Sequence, residues 1–255
     1  MTRSKDRPTI AVLMDYEAEG SFSSRPHYAL RLGYFEAIER AGGVPVALPY
    51  LEGSMEAYLD MADGVVLPGG MYPFPATYYG ETPSRVEPVY PRVAFEMDFT
   101  RRILARDLPV LGICAGMQVL AAVMDAVMLR DVHAAYNTTI DHLNEKPAEE
   151  FAHVVSIAPD TLLHRITGLS EMHVNTAHRE GIMDTPDTPG LVFNARAPDG
   201  VIEGLEITGQ RFALGVQWHP EFFLGAGNPH LALFEALVET AGGTSMAETR
   251  TGRVA

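Results

Sequence analysis

Two hydrophobic periods alternate along this chain, and its first half repeats pairs of one strand and one helix. Residues 9–14 form a continuous apolar run, residues 28–40 repeat apolar side chains at helical spacing, and residues 44–48 return to an extended run. The same order recurs with a helix over 55–62 and a strand over 64–68. Strands that alternate with helices predict a parallel sheet covered by helices on both faces.

The second half of the chain keeps the helices and adds strands with alternating side chains. A helix over 93–106 leads into a strand at 109–113, and a helix over 117–124 follows at once. Further strands are predicted at 153–157, 191–195, 202–207 and 212–217. A final amphipathic helix is predicted over 228–241. The fold class is therefore α/β, a three-layer sandwich around one central sheet.

The hydrophobic pattern shows no internal repeat and no linker that would divide the chain into separate domains. We expect one domain over 1–241 and a flexible tail over 242–255. Residues 131–150 are polar and poorly periodic, and residues 71–91 break the periodicity and hold five prolines and the pair Tyr78-Tyr79. A long loop of this kind after a sheet strand is either functional or a surface cover packed on its own aromatic side chains.

Composition excludes several classes of protein. The formal net charge of −14 argues against a nucleic-acid or acidic-membrane surface, which would require a basic patch. No apolar stretch is long enough for a signal peptide or a membrane span. The single cysteine excludes an internal disulfide and favours the reducing cytoplasm. Nine histidines are present without a recognised metal motif or a close Cys/His spacing, so neither a metal nor a cofactor is expected.

The single cysteine lies where a strand is predicted to turn sharply into a helix, in Gly112-Ile113-Cys114-Ala115-Gly116. This is the pattern of a nucleophile at the apex of a strand–turn–helix element, in which small residues permit the tight turn. The positive end of the helix dipole would favour the thiolate of Cys114. The alternative is a buried cysteine with a structural role, and the remaining motifs must distinguish between the two roles.

A second motif supplies the base that a cysteine nucleophile needs. His219 follows the predicted strand 212–217, and Pro220 ends that strand. Glu221 is close enough to bond one imidazole nitrogen while the other faces the sulfur. Acyl transfer also needs donors for an oxyanion, and the Ala115 amide and the strand-end pair Gly69-Gly70 are candidates.

These stretches, in this order, resemble the class I glutamine amidotransferase-like proteins, and more closely their γ-glutamyl-γ-aminobutyrate hydrolase branch. The resemblance covers residues 8–241 and implies a flavodoxin-like sandwich with a mostly parallel sheet. Its matching segments are Ala41-Gly42-Gly43-Val44-Pro45, Leu67-Pro68-Gly69-Gly70, Tyr79-Gly80-Glu81, Gly112-Ile113-Cys114, Val174-Asn175-Thr176-Ala177-His178, Ala197-Pro198-Asp199-Gly200 and Gly215 to Glu221.

The resemblance implies an enzyme of amine or polyamine catabolism that hydrolyses the γ-glutamyl amide of a small amine through a glutamyl thioester. In this scheme Cys114 is the nucleophile, His219 is the general base and later the acid, and Glu221 orients His219. The oxyanion donors would be the amides of Gly70 and Ala115.

The resemblance also implies a set of substrate-binding residues. Gln118 would hold the glutamyl group, and Asn175 and His178 lie on the segment that borders the pocket. Tyr72 completes the set, because it stands where the branch has the aspartate of Gly-Gly-x-Asp.

The chain departs from the hydrolase branch near the nucleophile. Ala115 replaces an arginine and Tyr72 replaces a carboxylate; Glu180 replaces a glutamine, and Asp125 lies in a segment that departs from Asn-Val-x-x-Gly-Gly. Loss of one cation and one anion would alter the recognition of a charged leaving amine.

Two other functions stay open at this stage. One is a glutaminase subunit that delivers ammonia to a separate synthetase, and the other is a non-catalytic binding module. The presence of Cys114, His219 and Glu221 together favours an enzyme over a binding module. A small γ-glutamyl molecule is the expected partner, and a homodimer is left open.

Overall fold

The computed structural model describes residues 7–70, 74–82, 91–144, 146–185 and 188–243. The strands are β1 Thr9–Leu13, β2 Asp15–Glu17, β3 His27–Ala29, β4 Val44–Leu48, β5 Gly64–Leu67, β6 Val110–Ile113, β7 Met128–Leu129, β8 His153–Ile157, β9 Glu171–Val174, β10 Gly181–Ile182, β11 Leu191–Arg196, β12 Ile202–Ile207 and β13 Ala213–Val216. The helices are α1 Leu32–Arg40, α2 Met55–Met61, α3 Pro91–Ala105, α4 Ala115–Val123, α5 Val132–Tyr136, α6 Leu162–Thr167 and α7 Leu231–Ala241. Short 3₁₀ turns lie at Glu52–Ser54, Ala76–Tyr79 and Pro220–Phe222.

Nine of these strands form one sheet in the order β4-β1-β5-β6-β13-β12-β11-β8-β9. The pairs from β4 to β13 are parallel, and the pairs from β13 to β9 are antiparallel. Only β12 and β8 therefore run against the other seven strands of the sheet. This confirms the α/β fold with a mostly parallel central sheet.

Each face of the sheet is covered by helices, because the strand side chains alternate between two apolar layers. In β1, Ala11 and Leu13 belong to one core cluster, and Ile10 and Val12 belong to the other. Helices α2, α3 and α4 pack on the first cluster, whereas α1, α6 and α7 pack on the second. This is the three-layer arrangement that the alternating periods predict.

The sheet brings the predicted chemistry to one edge. Strands β5, β6 and β13 are neighbours, with Leu67 opposite Gly112 and Val216 opposite Ile113. The residues that follow their carboxyl ends are therefore close in space. Parallel sheets place their ligands at this edge, outside the carboxyl ends of adjacent strands.

The predicted helix over 28–40 is wrong at its beginning. Residues Leu32–Arg40 are helical, but His27–Ala29 pairs with Asp15–Glu17 in an antiparallel hairpin. Tyr28 packs edge-on against Tyr16 at 6.2 Å between ring centroids, and Arg31 is extended. Cross-strand packing therefore overrides the helical spacing at these positions.

Several short elements lie where no element was predicted, among them β9, α5 and α6. The final helix begins at Leu231, three residues after the predicted start, because His230 turns its backbone amide to the side chain of Asn228. Most of the loop 71–91 and all but two residues of the tail 242–255 fall outside the described residues. Within the described part of the chain, no helix has the length and apolar character needed to cross a membrane.

Candidate active site

Cys114 lies at a sharp turn between β6 and α4. Its backbone has φ 51° and ψ −108°, a conformation rarely adopted by a residue with a side chain. The turn is held by the amide of Cys114, which donates to the Val216 carbonyl at 2.8 Å. A side chain at Gly116 would collide with the carbonyl oxygen of Leu67, so glycine is required there. The strand–turn–helix arrangement of the cysteine is as predicted.

His219 follows β13 and lies between a sulfur and a carboxylate. Its Nδ1 is 2.8 Å from Oε1 of Glu221, and its ring also interacts electrostatically with Cys114. Glu221 is 2% exposed, and the guanidinium of Arg31 lies 3.6 Å from its Oε1. The structure therefore brings the three predicted catalytic residues into one line, with the imidazole in the middle.

The electrostatics of this line favour a protonated imidazole. Burial alone would lower the pKa of His219. The charges of Glu221 and Cys114 and the hydrogen bond to Glu221 act in the opposite direction, and the pKa of His219 rises to about 10. An imidazolium at His219 is therefore favoured between Glu221 and Cys114.

The Gly69-Gly70 turn faces Cys114 from the end of the neighbouring strand β5. The amide of Gly69 donates to the hydroxyl of Tyr34 at 3.0 Å. A Cβ at Gly69 would lie 2.7 Å from Cε1 of His219 and 3.3 Å from Cβ of Cys114. This close approach leaves no room for a side chain between the turn and the catalytic line.

Arg92 braces the same turn from α3. It is 2% exposed, and it donates to the carbonyls of Pro68 at 2.7 Å and Gly69 at 3.2 Å. Its charge is matched by Asp15, at 2.8 Å, and by Glu96, at 2.9 Å. The carbonyl of Gly69 and the amide of Gly70 lie in one peptide plane. Because Arg92 holds that carbonyl, it also fixes the orientation of the Gly70 amide.

The amides of Gly70 and Ala115 were predicted to be oxyanion donors. Ala115 is the first residue of α4, so its amide has no acceptor within the helix. Neither amide bonds to any residue in the described part of the chain. An oxyanion role for Gly70 and Ala115 stays a prediction that this geometry permits.

Gln118 lies one turn into α4 and is 5% exposed. Its Nε2 donates to the carbonyl of Glu180 at 3.1 Å and to Oε1 of Gln217 at 3.2 Å. The side chain of Glu180 accepts from the hydroxyl of Tyr79 at 2.8 Å. Both amide hydrogens of Gln118 are thus bound by the protein, and only its Oε1 is available for a glutamyl group.

Asn175 and His178 are turned towards protein groups. Asn175 accepts from the amide of His219 at 2.8 Å and donates to the His219 carbonyl at 3.1 Å and to the Ala148 carbonyl at 2.6 Å. It therefore positions His219. Both ring nitrogens of His178 also face protein groups, so substrate binding by this pair stays a prediction, and Tyr72 lies outside the described residues.

Sequence reasoning missed two residues of the site, Tyr34 and Arg92. Tyr34 falls within the apolar helical repeat of residues 28–40, and the contact of its hydroxyl with Gly69 depends on how α1 packs. Arg92 immediately precedes the predicted start of the helix over 93–106. A buried arginine has no local sequence signal, because its partners come from three separate segments.

The structure also gathers histidines that are far apart in sequence. His142, His153 and Glu203 bring one donor atom each to within 4.8 Å of one another. The absence of a close Cys/His spacing had argued against such a group, but β8, β12 and the loop after α5 meet in space. These are the described residues best able to hold a metal ion.

The nine-stranded sheet and the cysteine turn define the class as glutamine amidotransferase-like. A crystal structure of a glutamine amidotransferase from Thermotoga maritima has the same fold, with a TM-score of 0.58 at 19% identity over 96% of this chain and 99% of that one. The peptidase C26 family profile matches residues 8–221, and the chain belongs to this family.

Two relatives match most of the chain. A glutamine amidotransferase-like protein of Rickettsia prowazekii is 28% identical over 93% of this chain and 99% of its own length. The γ-glutamyl-γ-aminobutyrate hydrolase of Escherichia coli is 29% identical over 87% of this chain and 89% of its own length.

The close approach at Gly69 generates a prediction for thiol reactivity. In Gly69→Ala the new methyl group should displace the His219 ring from Cys114, because it would lie in contact with Cε1. We expect the rate of alkylation of Cys114 by iodoacetamide at neutral pH to fall about 100-fold, as for a misplacement of about 1 Å. Since Cys114 is the single cysteine, the modified mass reports this site alone.

The matched control is Gly53→Ala, which adds the same methyl group where no atom lies within 4 Å. Its alkylation rate should equal that of the wild type. Equal rates in wild type and Gly69→Ala would contradict the arrangement of Gly69, His219 and Cys114 described above.

Proposed function

We propose that this protein hydrolyses the γ-glutamyl amide bond of a small γ-glutamyl amine through a glutamyl thioester on Cys114. The observation that carries the proposal is the buried line of Cys114, His219 and Glu221 at the carboxyl edge of the sheet. The relatedness to the Escherichia coli hydrolase supports the γ-glutamyl substrate class.

In the first half-reaction, the thiolate of Cys114 attacks the γ-carbonyl carbon of the substrate. The negative charge passes to the carbonyl oxygen, and the amides of Gly70 and Ala115 donate to it. His219 then gives its proton to the amine nitrogen, so that the C–N bond breaks and a neutral amine leaves. The glutamyl group stays on sulfur as a thioester.

In the second half-reaction, His219 has lost its proton and acts as the base for water. The resulting hydroxide attacks the thioester carbonyl, the C–S bond breaks, and glutamate leaves. The proton stays on His219, which restores the ion pair with the thiolate. Glu221 keeps the imidazole oriented throughout, because its carboxylate is bonded to Nδ1 at 2.8 Å.

The chain's own residues favour an uncharged leaving amine over γ-aminobutyrate. Ala115 supplies no cation beside the nucleophile, and the charge of the nearby Arg92 is already matched by Asp15 and Glu96. Neither Ala115 nor Arg92 therefore offers electrostatic stabilisation to a carboxylate on the leaving amine.

A substrate panel tests this proposal. We expect kcat/KM for γ-glutamyl ethylamide to equal or exceed that for γ-glutamyl-γ-aminobutyrate, since neither Ala115 nor the ion-paired Arg92 offers a cation to the carboxylate. Cys114→Ala should abolish turnover of both, and His219→Asn should lower it by about 10³ or more. Coupled detection of released glutamate gives the rates.

Two outcomes of the panel would each contradict one part of the proposal. Substantial hydrolysis by Cys114→Ala would remove the thioester route. A clear preference for the γ-aminobutyrate conjugate would refute the specificity argument alone. Glutamine, included in the panel, tests the glutaminase alternative, which predicts weak hydrolysis that a synthetase partner stimulates.

The raised pKa of His219 generates a prediction for the pH profile. Acylation needs the protonated imidazole as the acid for the leaving amine, and the pKa of His219 is raised to about 10. The rate should therefore persist through neutral pH and fall as pH rises through about 10. Glu221→Gln removes the charge that favours the imidazolium, so the alkaline fall should move to lower pH.

The measurement is kcat/KM against pH for both enzymes on one substrate, so that ionisation of the substrate is common to the two profiles. An alkaline fall at the same pH in wild type and Glu221→Gln would show that Glu221 does not set the protonation of His219.

A further inference from the structure

A second buried group of titratable side chains lies beside the catalytic line, and the proposed reaction does not use it. We call it the histidine cluster, and its members are His142, His153, His178, Asp199 and Glu203. They come from the loop after α5, the start of β8, the segment after β9, the turn between β11 and β12, and β12 itself. The exposed fraction of the side chain is 0% for His142 and Glu203, 2% for His178 and 6% for His153.

Three imidazoles of the cluster converge on one oxygen atom. Oε1 of Glu203 lies 3.3 Å from Nδ1 of His142, 3.2 Å from Nε2 of His153 and 3.4 Å from Nε2 of His178. Ligand atoms placed tetrahedrally at zinc distances of 2.0–2.1 Å are about 3.3–3.4 Å apart. The distances from Oε1 to His142 and His153 therefore match two edges of a tetrahedral zinc shell, and the donor atoms of these three residues lie within 4.8 Å of one another.

The outer nitrogens of two rings are fixed by acceptors. Nε2 of His142 lies 2.8 Å from Oδ2 of Asp199, and Nδ1 of His178 lies 2.9 Å from the carbonyl of Glu180. A carboxylate or a carbonyl accepts hydrogen bonds, so each ring carries a hydrogen on this outer nitrogen. In the neutral rings the inner nitrogens then present lone pairs towards Glu203. Metal-binding histidines are oriented in this way by outer carboxylates and carbonyls.

The interior of the cluster has more acceptors than hydrogens to satisfy them. Among the described residues, Oε2 of Glu203 has no hydrogen-bond partner, and Nδ1 of His142 makes no hydrogen bond despite its proximity to Oε1. Buried polar atoms without partners are costly, and a buried carboxylate is more so. A cation among the inner atoms would bind all of these lone pairs at once.

We propose that the histidine cluster binds one zinc ion, with Nδ1 of His142, Nε2 of His153 and the carboxylate of Glu203 as ligands. Imidazole nitrogens and a carboxylate suit zinc, whereas magnesium and calcium prefer oxygen ligands alone. Three protein ligands leave one position of a tetrahedral shell for a water molecule.

The zinc ion would stabilise the frame of the catalytic line. His178 is two residues before Glu180, whose carbonyl accepts from Gln118. The carbonyl of Glu203 accepts from the amide of Gln217 at 2.8 Å, two residues before His219. One ion would join β8, β12 and the loop after α5, and the contact of His178 with Glu203 links this group to the segment after β9.

Metal content of the full chain is the first test. We expect about one zinc ion per chain by elemental analysis when the chain is produced without an affinity tag in zinc-supplemented medium. Since Cys114 and His219 are themselves a pair that zinc can bind, the same analysis is made on Cys114→Ala, which should retain the ion. Zinc that is lost in Cys114→Ala would overturn the proposal.

Ligand variants locate the ion. His153→Gln and Glu203→Gln, each combined with Cys114→Ala, should bind zinc at least about tenfold more weakly in calorimetric titration. His230→Gln is the matched control, because His230 is a buried imidazole, 1% exposed, that lies outside the cluster. Equal zinc affinity in all three variants would overturn the proposal.

The wild-type chain provides readouts that do not depend on a variant that folds. Removal of zinc by a chelator should lower Tm by about 5–10 °C, as for loss of a ligand held at 100 times its Kd. Zinc should restore Tm and magnesium should not. Cobalt should replace zinc with the visible bands of a four-coordinate ion. A Tm that neither chelator nor added zinc changes, or a six-coordinate cobalt spectrum, would overturn the proposal.

Discussion

Three backbone segments, the end of β5, the end of β6 and the start of α4, are in close contact at Cys114, and the site depends on this constraint. Helix α4 begins so near to β5 that a side chain at Gly116 would meet the carbonyl of Leu67, and Gly112 likewise leaves room for the carbonyl of Gly116. The chain can turn from β6 into α4 within this space when Cys114 adopts a positive φ of 51°. The cost of that conformation, about 1–3 kcal/mol, is offset by packing on both sides of the turn. The thiol is thereby placed at the edge of the sheet, next to the ends of β5 and β13.

The partners of Cys114 are held through their backbones rather than by their own side chains alone. Asn175 bonds both the amide and the carbonyl of His219, and Tyr34 and Arg92 hold the Gly69-Gly70 turn. These supports come from α1, α3 and the segment after β9, so each layer of the sandwich contributes residues to the candidate active site. Burial then strengthens the pairing of His219 with Glu221, since the charges are shielded little by water.

Elements that depend on a local sequence pattern were predicted from the sequence, whereas contacts between distant segments were missed. The apolar periods located β1, β4, β5, β6 and α4, and the motifs located Cys114, His219 and Glu221. The hairpin of β2 and β3 was missed because Tyr28 has helical spacing to its neighbours while its packing partner is Tyr16. Arg92 and the histidine cluster were missed because no local sequence pattern indicates that a charged residue is buried or that distant imidazoles converge.

The central claim is that Cys114 carries the glutamyl group during the reaction. The most direct measurement is the intact mass of the wild-type chain, quenched by acid within one turnover of a γ-glutamyl amide and followed by peptide mapping. The account predicts a gain equal to one glutamyl acyl group, confined to the peptide that contains Cys114 and absent from Cys114→Ala. Turnover of the same substrate with no such adduct at any quench time, or an equal gain of mass in Cys114→Ala, would contradict it.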